Sequence, residues 1–185
     1  MRRSKVSQIA VLCGTLLGSQ GLGISVAQAS VLTKLSLSDM TARAEQVLVG
    51  RVERVDSKLA PGHDGFIITE VQIRCNRSIR GVKEGTLLTV RHLGGRRIIK
   101  EQKVFGEASY QVGEEVVLLA ELREGALDAV GMAQGKLHID RSTGTRRVQV
   151  NLAGAALLAP TGPDAIPTAQ GVPLEVLIGQ LTELV

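Results

Sequence analysis

Aromatic residues are nearly absent from this sequence of 185 residues, which has no tryptophan and only Phe66, Phe105 and Tyr110. Proteins that bind single-stranded nucleic acid stack the bases on aromatic rings, at about 1–3 kcal/mol per base. Carbohydrate-binding proteins use ring platforms in a similar way. Three rings supply neither kind of surface, so the composition argues against a nucleic-acid partner and against a carbohydrate partner.

Cysteine and histidine are also scarce. Of the two cysteines, Cys13 lies in an apolar run near the N-terminus, which leaves Cys75 without a disulfide partner in the rest of the chain. The histidines, His63, His92 and His138, lie far apart, and none has a second His or Cys at the short spacing of metal sites. We therefore expect no metal ion and no other cofactor.

Motifs for nucleophilic catalysis are missing as well. There is no G-x-S-x-G motif, and Cys75 continues the face of a predicted strand that carries Val71 and Ile73, which favours a small buried side chain. Glu114 and Glu115 are adjacent, but neighbours on a strand point to opposite faces and cannot act on one substrate bond. We predict that the protein is not an enzyme; a hydrolase whose site the sequence does not reveal is the remaining alternative.

Residues 1–29 have the order of a secretory signal peptide. A basic start precedes the apolar stretch VSQIAVLCGTLLG, and small residues form a cleavage site in VAQA. Because polar residues and glycines interrupt the run before the ~20 apolar residues of a membrane span, we expect cleavage, no transmembrane span afterwards, and a periplasmic or secreted location. The residues concerned are Arg2, Arg3 and Lys5 at the basic start, and Ala27, Ala29 and Ser30 at the cleavage site.

Cleavage changes the charge of the chain. Three of the 22 basic residues and none of the 18 acidic residues precede residue 30, so 19 basic residues remain against 18 acids and the mature net charge is about +1. The mature chain fits one domain with its own core.

Alternating apolar residues and turn dipeptides dominate that chain, without alternation of strands and helices. This pattern is typical of an antiparallel barrel or sandwich. Residues 114–122, EEVVLLAEL, form the most apolar segment and are predicted to be the most central strand. A short helix is predicted over residues 36–45, with Ser36 or Ser38 as its cap, and an amphipathic helix is predicted over residues 173–185. KLHID and RRVQV, joined by RSTGT, are predicted to form a hairpin, and residues 153–172 are an Ala/Gly/Pro-rich linker.

The order of these segments resembles a family of uncharacterised bacterial secreted domains. The segments are AEQVLVGRV, FIITEVQIRCNRSIRG, LLTVRHLGG, YQVGEEVVLLAEL and AVGMAQGKLHI, from about residue 44 to residue 140. In that family a G-x-V strand is followed by a T-x-V strand and then by a GG turn. A G-E-E motif comes next, directly before an apolar strand, and a G-x-x-Q-G-K segment follows that strand. The resemblance implies a scaffold and not a reaction. Such domains occur alone or alongside matrixin-like metalloproteases.

The order is more distantly similar to netrin modules and tissue inhibitors of metalloproteinases. This similarity implies, for residues 30–152, an OB-like antiparallel β-barrel of about six to eight strands, with a short helix at each end of the mature chain. Those inhibitors act through an N-terminal cysteine, whereas the predicted mature chain begins SVLTKLS. An accessory or inhibitor-like domain acting on a secreted metalloprotease is therefore only the alternative function, without that metal-chelating mechanism.

Positive charge is concentrated between residues 74 and 103, which we call the basic segment and which contains nine basic and two acidic residues. Within this segment lies RHLGGRRIIK, whose glycine pair is expected to serve a turn because the lysine and hydroxyl of a P-loop are missing. Arg96 and Arg97 are predicted to lie at this turn. The cations either protect strand edges or bind an anionic envelope component. We predict an exported binding or envelope-associated module whose partner is such a component or an unknown protein. The candidate contact residues are Arg74, Arg77, Arg80, Arg91, Arg96, Arg97, Lys100 and Lys103; the ninth cation is Lys83.

Overall fold

A computed structural model describes residues 31–158 and 171–185, apart from residues 64, 143 and 153. The predicted signal peptide, its cleavage site and most of the predicted linker lie outside these ranges. The described part is mainly β with two α-helices, which confirms the coarse prediction of fold class.

The chain forms long strands first and short ones later. The strands are β1 (Val31–Thr33), β2 (Gln46–Leu59), β3 (Ile67–Arg80), β4 (Leu87–Leu93), β5 (Gly95–Arg97), β6 (Lys100–Gln102), β7 (Glu115–Arg123), β8 (Ala126–Ala129), β9 (Lys136–Asp140), β10 (Arg147–Val150), β11 (Ala156–Leu158) and β12 (Val172–Pro173). The helices are α1 (Leu37–Arg43) and α2 (Leu174–Leu184), and a 3-10 turn spans Met132–Gly135.

Eight of these strands form one sheet in the order β12-β10-β9-β7-β2-β3-β4-β8. Neighbours are antiparallel except β4 and β8, which pair in parallel through Val90 and Leu127. Strand β8 also pairs with β7. Along the series β7, β2, β3, β4 and β8, each strand therefore pairs with the next, and the last strand pairs with the first. The hairpin of β9 and β10, predicted from KLHID and RRVQV, is confirmed. Two smaller pairs are β1 with β11, whose second strand lies inside the predicted linker, and β5 with β6.

Strand β7 is the most buried element of the sheet. The side chains of residues 116–120, VVLLA, are fully buried. Val117 and Leu119 belong to one apolar cluster, whereas Val116, Leu118 and Ala120 belong to a second on the opposite face. A strand covered on both faces carries a continuous apolar run, so the segment predicted as most central pairs with β2, β8 and β9.

The two helices cover the first cluster. Helix α1 begins with the predicted cap: Ser36 Oγ accepts a hydrogen bond from the Asp39 N–H at 2.9 Å, and the Asp39 carboxylate accepts one from the Ser36 N–H at 3.2 Å. Helix α2 buries its predicted apolar face against the sheet of its own chain. The buried residues of α2 are Leu174, Leu177, Ile178 and Leu181.

The second cluster is enclosed by β2, β3, β4, β7 and β8. Val71, Ile73 and Cys75 all point into it from β3, as their spacing predicted. The loop that precedes β7 adds Ala108 and Tyr110, so this loop closes part of the core. The two clusters lie on opposite faces of β2 and β7.

Leu177→Ala should lower the free energy of unfolding by about 2–5 kcal/mol, because truncating a buried leucine leaves a cavity between α2 and the sheet. Val176→Ala is the matched control, since Val176 is 51% exposed on the opposite side of the helix and should change stability by less than ~0.5 kcal/mol. Urea unfolding of both variants measures the difference. Equal effects would contradict the packing of α2 on this sheet.

Candidate functional site

The structure divides the basic segment into two groups. The basic residues of 74–83 lie on β3 or just after it, whereas those of 96–103 lie on or just after β5 and β6. Strand β4 separates the groups, with Leu87 paired to Arg74 at one end and Leu93 at the other. Six residues of strand span about 20 Å, so the cations do not form one continuous surface.

The arginines of β3 are already bonded within the protein. Arg74 donates two hydrogen bonds to Glu53, at 2.9 and 3.0 Å, which lower the pKa of that carboxylate. Arg77 donates to Glu175 of α2 at 2.8 Å, and Arg80 donates to a main-chain carbonyl of α1 at 2.9 Å. These contacts join sheet and helices, and they pair the charges of Arg74 and Arg77 with acids.

Arg91 faces acids across the sheet. Its guanidinium lies 3.5 Å from Asp128 of β8 and 3.8 Å from Glu124, and Asp128 also accepts a hydrogen bond from Arg123 at 3.0 Å. The side chain of Arg91 is mostly buried. Arg91 is therefore largely enclosed by the fold, with its charge opposite two acids.

Apart from the exposed Lys83, the cations of the basic segment that remain available lie in or just after the β5–β6 hairpin, residues 95–102. The side chains of Arg96 and Arg97 are exposed, and neither has a hydrogen bond or ion pair with another described residue, although Arg96 lies opposite Glu101 in the register of the hairpin. Lys100 donates to the main-chain carbonyl of Gly65, and Lys103, just after the hairpin, lies 5.3 Å from the ring centroid of Phe105. Residues 95–103 contain four basic residues and one acidic residue, Glu101.

Two isoleucines form the tip of this hairpin. Ile98 and Ile99 occupy the turn between Arg97 and Lys100 and are 103% and 96% exposed. The sequence had placed Arg96 and Arg97 at a turn; they lie on β5 instead. Two-residue hairpin turns normally contain Gly, Asn or Asp. An apolar pair in this turn is therefore not favoured by the conformation of the turn, and it is not stabilised by burial either. Sequence reasoning missed these residues, although an apolar pair between basic residues, RRIIK, was the available signal.

The glycine pair bends the chain from β4 into β5. Gly94 and Gly95 have φ of 83° and 140°, in a region that side chains disfavour. A Cβ at Gly95 would lie 2.2 Å from Thr69 Oγ1 and 2.5 Å from Ser57 Oγ, and a Cβ at Gly94 would lie 2.5 Å from the carbonyl oxygen of Gln102. The glycines therefore serve backbone geometry, as predicted, and they seat the base of the hairpin against β2 and β3.

The three histidines lie on separate elements. His63 follows β2, His92 on β4 stacks beside Tyr110 with ring centroids 5.7 Å apart, and His138 on β9 has its Nδ1 3.4 Å from Glu114. Burial lowers the pKa of His92. Within the residues that the structure describes, no three His, Cys, Asp or Glu side chains are grouped so that they could hold a metal ion.

Cys75 is a core residue. Its side chain is 1% exposed, and burial, followed by the charge of Glu84, raises the pKa of the thiol. A thiol that favours the protonated form is a poor nucleophile. The prediction of a small buried side chain at this position is confirmed.

Glu114, the residue before β7, and Glu115, the first residue of β7, have different partners. Glu114 lies 2.8 Å from the ammonium of Lys136, a residue that is 6% exposed, and Glu115 lies 2.5 Å from Arg141. Lys136 also donates to the Ser109 carbonyl at 2.8 Å. The G-E-E and G-x-x-Q-G-K motifs are thus joined by a buried ion pair, which is a structural use of both.

Glu107 is the remaining buried carboxyl group near this ion pair and the Arg91–Asp128 contact. It is 5% exposed, and its Oε2 has no hydrogen-bond partner among the described residues. Burial raises its pKa, as does the charge of Asp128, whereas the Leu93 N–H, Arg123 and Arg91 act in the opposite direction. Folding therefore shifts the protonation equilibrium of Glu107 toward the neutral form, relative to an exposed glutamate.

Comparisons with protein-family models, with curated protein sequences and with solved structures find no match for this chain. Among the described residues, no helix has the length and apolar character needed to cross a bilayer. The β5–β6 hairpin combines two unpaired arginines with two fully exposed isoleucines, which makes it the candidate site.

Gly94→Val should lower the free energy of unfolding by more than ~2 kcal/mol, because left-handed strain of about 1–2 kcal/mol is added to a clash of about 1–3 kcal/mol. Arg96→Ala should change it by less than ~0.5 kcal/mol. Gly62→Val is a second control, since Gly62 has φ 74° but open space around it, so only strain applies. Chemical denaturation measures all three; an Arg96→Ala loss as large as that of Gly94→Val would refute the assignment.

Glu107→Gln should raise the melting temperature at neutral pH. Because the pKa of the folded carboxyl group lies above its ordinary 4.5, the native protein loses stability as the pH rises from about 4.5 through the folded pKa. Below pH 4 that loss is absent and the two proteins should melt alike. Thermal melts from pH 4 to 8 test this, with the exposed Glu101→Gln as control. A difference independent of pH would show that ionisation of Glu107 is not its cause.

Proposed function

We propose that this chain is exported and that its mature part is a non-enzymatic module that binds an anionic component of the bacterial envelope through the β5–β6 hairpin. The observation that carries this proposal is the contrast within the basic segment. Arg74, Arg77, Arg80 and Arg91 are bonded to acids or carbonyls of their own chain, whereas the side chains of Arg96 and Arg97 are exposed and have no partner in the part of the chain that the structure describes.

The placement of the two free arginines favours an approach along the hairpin axis. Arg96 and Arg97 are adjacent on β5, so their side chains leave opposite faces of the hairpin. A partner that meets one face contacts one of them, whereas a surface that meets the tip contacts both. Arg97 lies directly behind the tip, in register with Lys100.

The attraction is expected to be moderate and sensitive to salt. Each Lys or Arg near an anionic membrane surface contributes about 1 kcal/mol, and screening over a Debye length of ~8 Å at physiological ionic strength limits longer-range effects. Two free arginines and two partly engaged lysines therefore support reversible binding.

We also infer that β2, β3, β4, β7 and β8 form an OB-like barrel, from which the hairpin projects after β4. Three observations support this: the pairings return to β7, β4 and β8 are the parallel neighbours, and these strands surround the cluster of Leu48, Val71 and Leu118. The alternative of an accessory or inhibitor-like domain for a secreted metalloprotease rests on the family resemblance alone.

Retention on vesicles tests the binding function. The protein purified after export should sediment with vesicles of phosphatidylcholine and phosphatidylglycerol at low salt, and with lipopolysaccharide particles if phosphate groups suffice, and high salt should release it. Changing both Arg96→Gln and Arg97→Gln should weaken retention about 30-fold, from two contributions of about 1 kcal/mol.

The matched control removes the same charge elsewhere, through Arg54→Gln and Lys83→Gln, two exposed cations outside the hairpin. This control should retain near-native binding. Equal weakening in the two double variants would show that net charge, and not the hairpin, governs retention, and absence of salt-sensitive retention would refute the proposal.

A further inference from the structure

We propose that Ile98 and Ile99 insert into the acyl boundary of an anionic lipid bilayer, so that the component bound by the hairpin is a membrane surface. This inference rests on the proposed function and specifies its partner. It follows from three features of the hairpin: an uncovered apolar tip, a rigid base and a row of cations behind the tip.

The tip is apolar without an internal reason. Both isoleucines are essentially fully exposed, whereas the large apolar side chains of β2, β3 and β7 are mostly buried. Neither residue packs on either apolar cluster. A pair of β-branched residues is unfavourable in a turn, and here it also exposes apolar surface to water. That surface leaves water only when the two side chains contact an apolar partner or a lipid bilayer.

The base of the hairpin is held in place. Gly94 donates to the Ile67 carbonyl at 2.8 Å and its own carbonyl accepts from Thr69 Oγ1 at 2.7 Å, while Gln102 Oε1 accepts from the Ile67 N–H at 2.9 Å. Lys100 adds a bond to the Gly65 carbonyl. The tip is therefore presented by an anchored support, which reduces the ordering that insertion would require.

The charges lie at the depth at which a bilayer carries its phosphates. Arg97 and Lys100 form the first cross-strand pair behind the tip, and Arg96 follows on the next pair, opposite Glu101. Successive pairs are about 3.3 Å apart, so the two cations of the first pair lie directly behind the isoleucines, and the second pair adds one cation and one acid. Apolar side chains in front of cations match the layering of interfacial membrane-binding segments, whose apolar part sits at the boundary between headgroups and acyl chains.

Other partners use only part of this arrangement. A free phosphate group or an acidic protein surface would satisfy the cations and leave both isoleucines in water. A second copy of the chain, paired hairpin to hairpin, would cover the isoleucines but would bring two sets of cations together, which like-charge repulsion opposes. A bilayer with anionic lipid satisfies both sets of side chains.

The absence of tryptophan from the sequence provides a clean test. In the full exported protein, Ile98→Trp introduces a single reporter at the tip, and Val176→Trp introduces one on the exposed side of α2 as the matched control. Vesicles containing phosphatidylglycerol should shift the emission of the first variant to the blue, and lipids brominated on the acyl chain should quench it. The control should show neither change.

A second pair of substitutions keeps the test independent of the reporter. Ile98→Ser with Ile99→Ser should leave the melting curve unchanged and reduce retention on the same vesicles by about tenfold or more, since two apolar side chains no longer leave water. The loss should be the same at every salt concentration at which the wild-type protein is still retained, because salt screens the cations and not the apolar side chains.

The outcomes separate this inference from the function on which it rests. Salt-sensitive retention without blue shift, quenching or effect of the serine variants would overturn insertion and leave binding by charge alone. No retention on any anionic particle would overturn both proposals. A blue shift without vesicles that grows with protein concentration would identify a second copy of the chain as the occupant and would also overturn insertion.

Discussion

The burial of β7 on both faces is the constraint from which the rest of the fold follows. Five successive residues, 116–120, are withdrawn from water, and fully burying side chains of this size contributes about 1.5–3 kcal/mol for each of the larger ones. A strand of this kind is stable only when both faces are covered. Here β2, β3, β4 and β8 enclose one face, and the two helices cover the other. The long apolar run therefore determines a layered structure around one strand.

The polar motif residues complete that structure at its margins. Gln134 accepts from the Leu35 N–H at 2.9 Å and donates to the Thr33 carbonyl at 3.0 Å, which ties the start of the described chain to the 3-10 turn. Lys136 and Glu114 neutralise each other in a buried position. Buried polar groups of this kind need partners, and removing one partner leaves the other uncompensated. These buried residues are needed for the structure, because each one satisfies a polar partner. Residues that form a sequence motif therefore need not form a catalytic site.

The candidate site lies outside both apolar clusters. Strand β4 leaves the second cluster after Val90, and the chain then turns at Gly94 and Gly95 into a hairpin whose tip is not covered by any described element. Most of the arginines along β3 and β4 form ion pairs with acids of neighbouring strands and helices because those elements pack closely. The side chains of the two arginines on β5 form no ion pair with a described residue, since only the base of their hairpin packs against β2 and β3. Charge and apolar exposure at the tip are therefore separable from folding stability.

The sequence by itself determined what depends on near neighbours along the chain: the central strand, the capped helix α1, the amphipathic helix α2, the burial of Cys75 and the backbone role of the glycine pair. The alternation of apolar and polar residues, their helical spacing and the conformational freedom of glycine depend only on residues close together in the sequence, so they can be predicted from it. The tertiary structure alone decided which cations are neutralised, that β8 closes back onto β7, and that Ile98 and Ile99 lie uncovered. Arg77 and Glu175 are 98 positions apart, and no spacing rule connects them. Contacts at such separations arise only when the layers pack around β7, so the candidate site could be recognised only in three dimensions.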